Sequence, residues 1–166
     1  MTASLTTVRQ KLIETLPRLR RFARTITRHV QDADDLVQLA IERALNRHAQ
    51  WDGESKFENW MFGIMRHAWI DEVRSRQRTG RLFAPAEEGE NVGDRGLEPH
   101  EHASSIQTAL EHLPVEQGLV IGLVLVKGLA YKEAAHVLEI PIGTVMSRLA
   151  RGGETLQKLV DNVGSP

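Results

Sequence analysis

The stretch from Tyr131 to Arg151 limits the possible folds most, because it reads as two short helices joined by a tight turn. Pro141 prevents the first helix from continuing, since proline has no N–H to donate and clashes with the preceding turn. At about 100° per residue, the second helix then has an apolar side and a polar side. The apolar side holds Ile142, Val145 and Leu149, and the polar side holds Thr144, Ser147, Arg148 and Arg151. A helix-turn-helix that reads duplex DNA has this layout, and an ordinary helical hairpin is the alternative.

Length and composition allow one ordinary domain or two small ones, since the chain has 166 residues, 41% hydrophobic and 26% charged. The longest apolar run, residues 118–126, is shorter than the roughly 18–20 residues of a membrane span. No signal peptide is recognisable at the N-terminus. The chain has no cysteine, which excludes disulfides and fits a reducing compartment. We therefore expect a cytoplasmic protein without membrane insertion.

The net charge of −1 conceals an uneven distribution of charged residues. Residues 1–81 contain 15 Lys or Arg and 10 Asp or Glu, whereas residues 82–103 contain 1 and 6, and residues 104–166 contain 5 and 6. Acidic residues, glycine and proline dominate the middle segment, which predicts a flexible linker. We therefore expect a basic first domain over 1–81, which could attract phosphates, an acidic linker over 82–103 and a nearly neutral second domain over 104–166.

Apolar residues recur at helical spacing throughout the chain and no strand pattern occurs, so the predicted fold is all-α, with two small helical domains. In the first domain, helices are predicted over residues 5–30, 32–47 and 57–78, and Pro17 should kink the first helix or start a second one. In the second domain, a helix over residues 104–113 precedes an apolar helix over 115–127. Gly128 is placed as the C-cap of that apolar helix, before the two helices of the opening stretch.

The predicted helix over residues 57–78 combines aromatic and basic residues. Ser55 and Glu58 form a capping box at its start. Its first half keeps one apolar face, but Trp69 and Val73 point the opposite way. This change indicates either a bend or a second apolar surface exposed for a partner. Aromatic rings beside guanidiniums suit a single nucleic-acid strand, and burial in the core is the alternative for Trp51 and Trp69.

No arrangement of catalytic or metal-binding residues is recognisable. The acidic cluster at residues 32–35 lies at the start of a predicted helix, where carboxylates suit the helix dipole better than they suit one shared ion. His100 and His102 lack the further ligands of a closed metal site. We therefore expect a protein that is not an enzyme and needs no metal or cofactor.

Three motifs in order resemble the bacterial extracytoplasmic-function (ECF) sigma factors of the sigma-70 family. DADDLVQLAIERAL at 32–45 is similar to the polymerase-binding helix of the family, and WMFGIMRHAWIDEVRSR at 60–76 is similar to its promoter-melting stretch. LPVEQGLVIGLVLVKGLAYKEAAHVLEIPIGTVMSRLARG at 113–152 is similar to its final helix-turn-helix. The resemblance covers nearly the whole chain and implies a transcription initiation factor.

The resemblance implies three binding surfaces. The β′ clamp helices of RNA polymerase would be bound by Asp35, Leu36, Gln38 and Glu42. The −10 element would be bound and melted by Trp51, Asp52, Ser55, Lys56, Arg66, His67, Trp69, Arg74, Arg76 and Arg78. The −35 duplex would be read by Thr144, Ser147, Arg148 and Arg151.

The resemblance also implies partners and regulation. The expected partners are core RNA polymerase, through its β′ clamp helices and β flap, promoter DNA, and an anti-sigma factor that covers both domains. The linker would thread through polymerase channels as an RNA mimic, or would simply aid solubility. The segment at 16–24 is similar to members tied to the general stress response of alphaproteobacteria.

Several positions depart from the family pattern. Met146 stands where a basic residue is common, Glu139 stands in the turn where glycine is usual, and Gly152 and Gly153 replace better helix formers. We therefore expect weak −35 duplex binding by residues 104–166 alone. Two other interpretations remain open at this point: a dimeric helix-turn-helix regulator with a helical sensor domain, and an interaction module that binds no DNA.

Overall fold

The computed structural model describes residues 2–80 and 112–164, with side chains described up to residue 161. These residues form six α-helices and no strand, which confirms the all-α fold. The helices are α1 (Leu5–Thr27), α2 (Val30–Asn46), α3 (Phe57–Thr79), α4 (Val115–Ile121), α5 (Tyr131–Leu138) and α6 (Ile142–Gly164). A 3-10 turn at His48–Gln50 follows α2, and a π-helical stretch at Gly122–Val126 continues α4. The predicted linker over 82–103 with its two histidines lies outside the described residues, as does most of the helix expected over 104–113.

Helix α1 runs through Pro17 without interruption, so the alternative in which this proline starts a second helix is wrong. The helix begins where Ser4 Oγ accepts a hydrogen bond of 3.1 Å from the backbone N–H of Thr7. It ends at Arg28, which adopts left-handed backbone angles with φ 63°. One side of α1 is buried, through Val8, Leu12, Leu19, Phe22 and Ile26.

The loop between α2 and α3 is organised by Asp52 and not by the predicted capping box. Asp52 Oδ1 accepts hydrogen bonds from the backbone N–H groups of Glu54 and Ser55, each at 2.8 Å. The Ser55 hydroxyl also donates to Asp52, at 3.0 Å, so it does not cap α3. Glu58 forms an ion pair with Arg18 of α1 instead. The capping-box prediction is therefore wrong, because both of its members have other partners.

Helix α3 is central, with contacts to α1, α2 and α5. Trp69 and Val73, which point away from its main apolar face, are buried as well. The alternative of an exposed partner surface at these residues is therefore wrong. A helix with neighbours on several sides needs apolar residues on several sides, and the broken amphipathic pattern reflects that position.

Helix α4 approaches α1 closely at Gly122. A Cβ atom at this glycine would lie 3.4 Å from both Phe22 Cε1 and Ile26 Cγ2, so a side chain larger than that of alanine would run into α1. Gly128 has a positive φ of 75° and ends this helical segment, as predicted. The far side of the segment is not covered by the described residues, and Leu125 and Val126 are exposed there.

Helices α5 and α6 form the predicted helix-turn-helix. Glu139 sits in the turn with φ 57° and ψ 44°, left-handed angles that cost a residue with a Cβ atom free energy. Pro141 then starts α6, and its carbonyl accepts hydrogen bonds from Thr144 and Val145. Val145 is fully buried, whereas Ile142, predicted on the same apolar side, is 47% exposed. The predicted apolar side of α6 is therefore correct at Val145 and wrong at Ile142.

The buried side chains of both halves form one continuous core. It reaches from Val8 in α1 through Met65 in α3 to Leu138 in α5 and Val145 in α6. Residues 112–164 therefore pack directly on residues 2–80, with α5 against α3 and α4 against α1.

Candidate polymerase and DNA interfaces

Helix α2 presents a polar face with one apolar residue to solvent. Asp35, Gln38 and Glu42 are exposed and follow the spacing i, i+3, i+7, so they lie on one side of the helix. Leu39 lies on the same side and is 36% exposed. Sequence reasoning missed Leu39 as a candidate, although its position four residues after Asp35 could have indicated it.

Leu36 does not belong to this outer face. Its side chain is 4% exposed and packs in the core, so little of it is available to polymerase in this structure. The remaining surface, formed by Asp35, Gln38, Leu39 and Glu42, is called the α2 outer face below.

The two tryptophans predicted to stack on DNA bases are core residues in this structure. Trp51 is 3% exposed, packs edge-on against Phe57 with 5.0 Å between ring centroids, and donates from Nε1 to the carbonyl of Ser55 at 3.0 Å. Trp69 is 7% exposed. Both side chains are covered in this structure, which favours the alternative of core packing that the sequence left open for them.

Asp52 and Ser55, also predicted for the −10 surface, bind each other and shape the loop. The three hydrogen bonds that Asp52 accepts lower the pKa of its carboxyl, most strongly the one from the Ser55 backbone. The loop is exposed, with Gly53 at φ 80° at its tip. These two residues therefore hold the loop that leads into α3.

Arg76 is tied within the protein. Its guanidinium makes two hydrogen bonds to Asp32 of α2, at 2.7 and 3.1 Å, and a third to Glu72 at 2.8 Å. It also lies over the Trp69 ring, 5.3 Å from the centroid. The bond to Asp32 and the bond to Glu72 raise the pKa of Arg76 despite partial burial. Arg76 joins α2 to α3, and three of its five N–H groups are already used in these hydrogen bonds.

The other basic residues of the predicted −10 surface fall into two groups. Arg74 and Arg78 near the end of α3 are exposed. Lys56, Arg66 and His67, by contrast, face the helix-turn-helix and meet carboxylates in α5 and in the turn after it. Lys56 Nζ lies 2.9 Å from Glu133, and Arg66 and His67 lie 3.4 and 3.6 Å from Glu139. Sequence reasoning missed these two glutamates as partners, because no local pattern links α5 to α3.

The predicted −35 residues share the outer side of α6. Ser147 and Arg151 are exposed, and Thr144 and Arg148 are partly covered. Ser147 donates to the Thr144 carbonyl at 3.3 Å, so its hydroxyl oxygen can still accept from a base edge. Met146 is 50% exposed beside this surface. The structure therefore brings all four residues together on one accessible face.

Comparisons with known proteins match both halves of the chain. The family model of sigma-70 region 2 matches residues 12–79, and the model of sigma-70 region 4 matches residues 103–156. The ECF sigma factor EcfG of Rhodopseudomonas palustris is 28% identical over 153 residues, covering 92% of this chain and 84% of that protein. The ECF sigma factor SigM of Mycobacterium tuberculosis is 33% identical over 142 residues, covering 86% of this chain and 71% of that protein.

Solved structures agree with these matches. The sigma factor RpoE of Bartonella quintana, crystallised with the anti-sigma factor NepR, has a TM-score of 0.73 and 27% identity, covering 92% of this chain and 96% of that chain. CnrH in complex with the cytosolic domain of CnrY shares the fold, with a TM-score of 0.68 and 22% identity over 98% of this chain and 92% of that chain.

Two sigma-70 regions in order, on an all-α fold with a helix-turn-helix, define a promoter-recognition subunit of bacterial RNA polymerase. The chain belongs to the ECF sigma factors of the sigma-70 family. It is therefore an alternative sigma factor that acts in transcription initiation, which sets aside the dimeric regulator with a sensor domain. None of the helices in the described part of the chain has the length and apolar character to cross a bilayer.

Proposed function

We propose that residues 2–79 dock on core RNA polymerase and melt the −10 element, while residues 112–164 hold the −35 duplex, in the cytoplasm. The observation that carries this division is the order of the two sigma-70 regions, each on its own helical half. Proposed partners are core polymerase, promoter DNA and an anti-sigma factor.

The α2 outer face is the proposed contact to the β′ clamp helices. It offers two carboxylates, an amide and the exposed side of Leu39 on a helix fixed by its buried residues. An apolar centre with a polar rim is the usual composition of a protein–protein contact. Arg76, which bonds to Asp32 at the start of α2, fixes the orientation of α2 on α3.

The proposed −10 surface lies on α3. Arg74 and Arg78 are exposed and would bind phosphates of the non-template strand. Lys56, Arg66 and His67 would bind the same strand once α5 has moved away from them. With Trp51 and Trp69 buried, capture of bases depends on polar and charged groups more than on aromatic stacking.

The proposed −35 surface on α6 carries only two guanidiniums, and Met146 adds no charge. Each phosphate contact adds to the affinity for duplex DNA and to its salt dependence. We therefore keep the prediction that residues 104–166 alone bind promoter duplex weakly, and that polymerase must place this domain on DNA.

An anti-sigma factor is proposed because the similar RpoE and CnrH structures each hold a protein partner. Residues 112–164 expose several large apolar side chains that such a partner would cover. They are Leu125, Val126, Tyr131, Ile142 and Met146.

The proposal is tested by reconstitution. The purified chain is added to core polymerase of the organism that carries the gene, with a pool of genomic fragments, and the 5′ ends of the transcripts are sequenced. We expect transcripts that start at a shared promoter sequence and require the chain. Equal transcripts with and without the chain would contradict a promoter-directing role.

A single substitution separates melting from docking. Arg74→Ala removes an exposed cation and should lower open-complex formation roughly tenfold on such a promoter, with little change in polymerase binding or in folding. Lys11→Ala, an exposed cation on α1 outside the proposed surfaces, is the matched control. Equal losses in open-complex formation and polymerase binding for Arg74→Ala would exclude the assigned role.

A further inference from the structure

The contact between α3 and α5 is built around two carboxylates of the helix-turn-helix. The two carboxylate oxygens of Glu133 have different partners. Oε1 accepts the backbone N–H of Ala130 at 3.1 Å and so caps α5. Oε2 lies 2.9 Å from Lys56 Nζ and accepts from the Asn59 amide at 3.4 Å. The cap thus fixes the carboxylate that reaches across to α3.

Glu139 makes the second contact from an unfavourable backbone conformation. Its left-handed φ of 57° suits glycine, which has no Cβ atom to strain. Its carboxylate lies 3.4 Å from Arg66 Nη1 and 3.6 Å from His67 Nε2. Glu139 therefore combines a strained backbone conformation with a side chain that contacts Arg66 and His67 of α3.

The groups that these carboxylates occupy belong to the proposed −10 surface. Glu133 and Glu139 occupy the sides of Lys56, Arg66 and His67 that face the helix-turn-helix, and their negative charge there repels a DNA phosphate. We propose that Glu133 and Glu139 form an anionic latch: they close the α5 side of the DNA-melting helix in the free protein and must release it before −10 DNA binds. This inference rests on the proposed function of α3.

The geometry of the contact makes the latch reversible. Lys56 is 74% exposed and Glu139 is 66% exposed, so each ion pair is weak and screened by salt. The backbones of α3 and α5 approach at Gly63, where a Cβ atom would lie 3.7 Å from the Val137 carbonyl. Close packing holds the two halves near each other, while the ion pairs set which α3 groups are covered.

The latch is tested on the full chain by the distance between its halves. The protein has no cysteine, so Asn46→Cys and Lys158→Cys, both at exposed positions, give two labelling sites for energy-transfer measurements. Glu133→Gln with Glu139→Gln keeps the shapes and lets the amide oxygen cap α5, but removes both charges. We expect the ratio of open to closed molecules to rise about three- to tenfold in this variant at low salt.

Glu139→Gly separates the latch from folding. It removes the carboxylate and also the left-handed strain, so thermal stability should hold or rise while the open population increases. Glu154→Gln removes an exposed charge that makes none of the described contacts with residues 2–80. This control should change neither the thermal stability nor the open population. Exchanging the charges of the other pair, Arg66→Glu with Glu139→Lys, leaves the Glu133 cap of α5 in place and should restore closure relative to Arg66→Glu alone.

A binding measurement links opening to DNA. The probe is a fluorescein-labelled single strand of mixed sequence, about 20 nucleotides long. The double glutamine variant should bind it about three- to tenfold more tightly, in step with its open population. Unchanged distances in both the glutamine and glycine variants would overturn the latch. Opening without a gain in strand binding, with transcription intact, would overturn the masking of Lys56 and Arg66. Opening in a chain that directs no transcription would instead count against the proposed function.

Discussion

At the scale of single residues, two neighbouring glycines in α6 have opposite roles. Gly152 is buried, and a Cβ atom there would lie 2.7 Å from Ile121 Cδ1 and 3.5 Å from Gln117 Cβ of α4. Gly153 has no atom within 4 Å of the corresponding position. Only Gly152 is therefore needed for the close packing of α6 on α4.

We expect Gly152→Ala to destabilise the protein by about 1–3 kcal/mol, because Ile121 is itself buried and has little room to move. Gly153→Ala should stabilise it by up to about 1 kcal/mol, since alanine favours the helix at an open position. Chemical denaturation of the two variants beside the parent measures both. Equal effects of the two substitutions would contradict the packing role of Gly152.

Gly152 and Gly153 also show that contacts between distant helices could not be predicted from the sequence. Both glycines were expected to weaken α6 as poor helix formers, and that expectation took no account of the close packing at Gly152. The neighbour that requires a glycine at 152 lies on α4, and no local pattern identifies it. The same limit applies to Trp51 and Trp69: their type and spacing fit base stacking as well as burial, and only packing against Phe57 and Arg76 distinguishes the two.

At the scale of helices, periodicity predicted the elements well and their partners less well. The predicted helices over 32–47 and 57–78 agree with α2 and α3 within two residues at each end. For the second apolar side of α3 the sequence left a bend and an external partner open, whereas Trp69 and Val73 are buried within the protein. A helix pattern states how many sides are apolar, but the identity of the covering helix depends on contacts between distant parts of the chain.

Two of the three leucines of α2, Leu36 and Leu39, offer a test of its outer face. Leu39→Ala should lower the affinity for core polymerase roughly tenfold and lower the free energy of unfolding less than Leu36→Ala does, because the Leu39 side chain is 36% exposed. Leu36→Ala removes a buried side chain and should cost about 2–4 kcal/mol of stability. Titration of labelled polymerase, together with thermal unfolding, separates the effects. Loss of stability in Leu39→Ala comparable to that in Leu36→Ala would show that the outer face is core.

At the scale of the whole molecule, the described halves share one core. The two halves are therefore in contact in the free protein, and they separate only if its conformation changes. Sequence reasoning predicted two domains from the charge distribution. It had no signal for the contact of α5 with α3, because Glu133 and Glu139 look like ordinary surface residues of a helix-turn-helix. Their role depends on Lys56 and Arg66, which the fold places opposite them.

Acidification should open the molecule through Glu133. The hydrogen bond from Lys56, followed by that from the Ala130 backbone, holds the pKa of the Glu133 carboxyl below its usual value of 4.5. A carboxyl with a lowered pKa contributes to the closed state fully above 4.5, and the contribution is lost as pH falls through the lowered pKa. The energy-transfer signal of the labelled parent should therefore shift towards the open state below pH 4.5. Glu133→Gln should begin more open and change less over the same range, since its amide does not titrate. Parallel pH curves for the two proteins would show that the carboxylate of Glu133 does not hold the halves together.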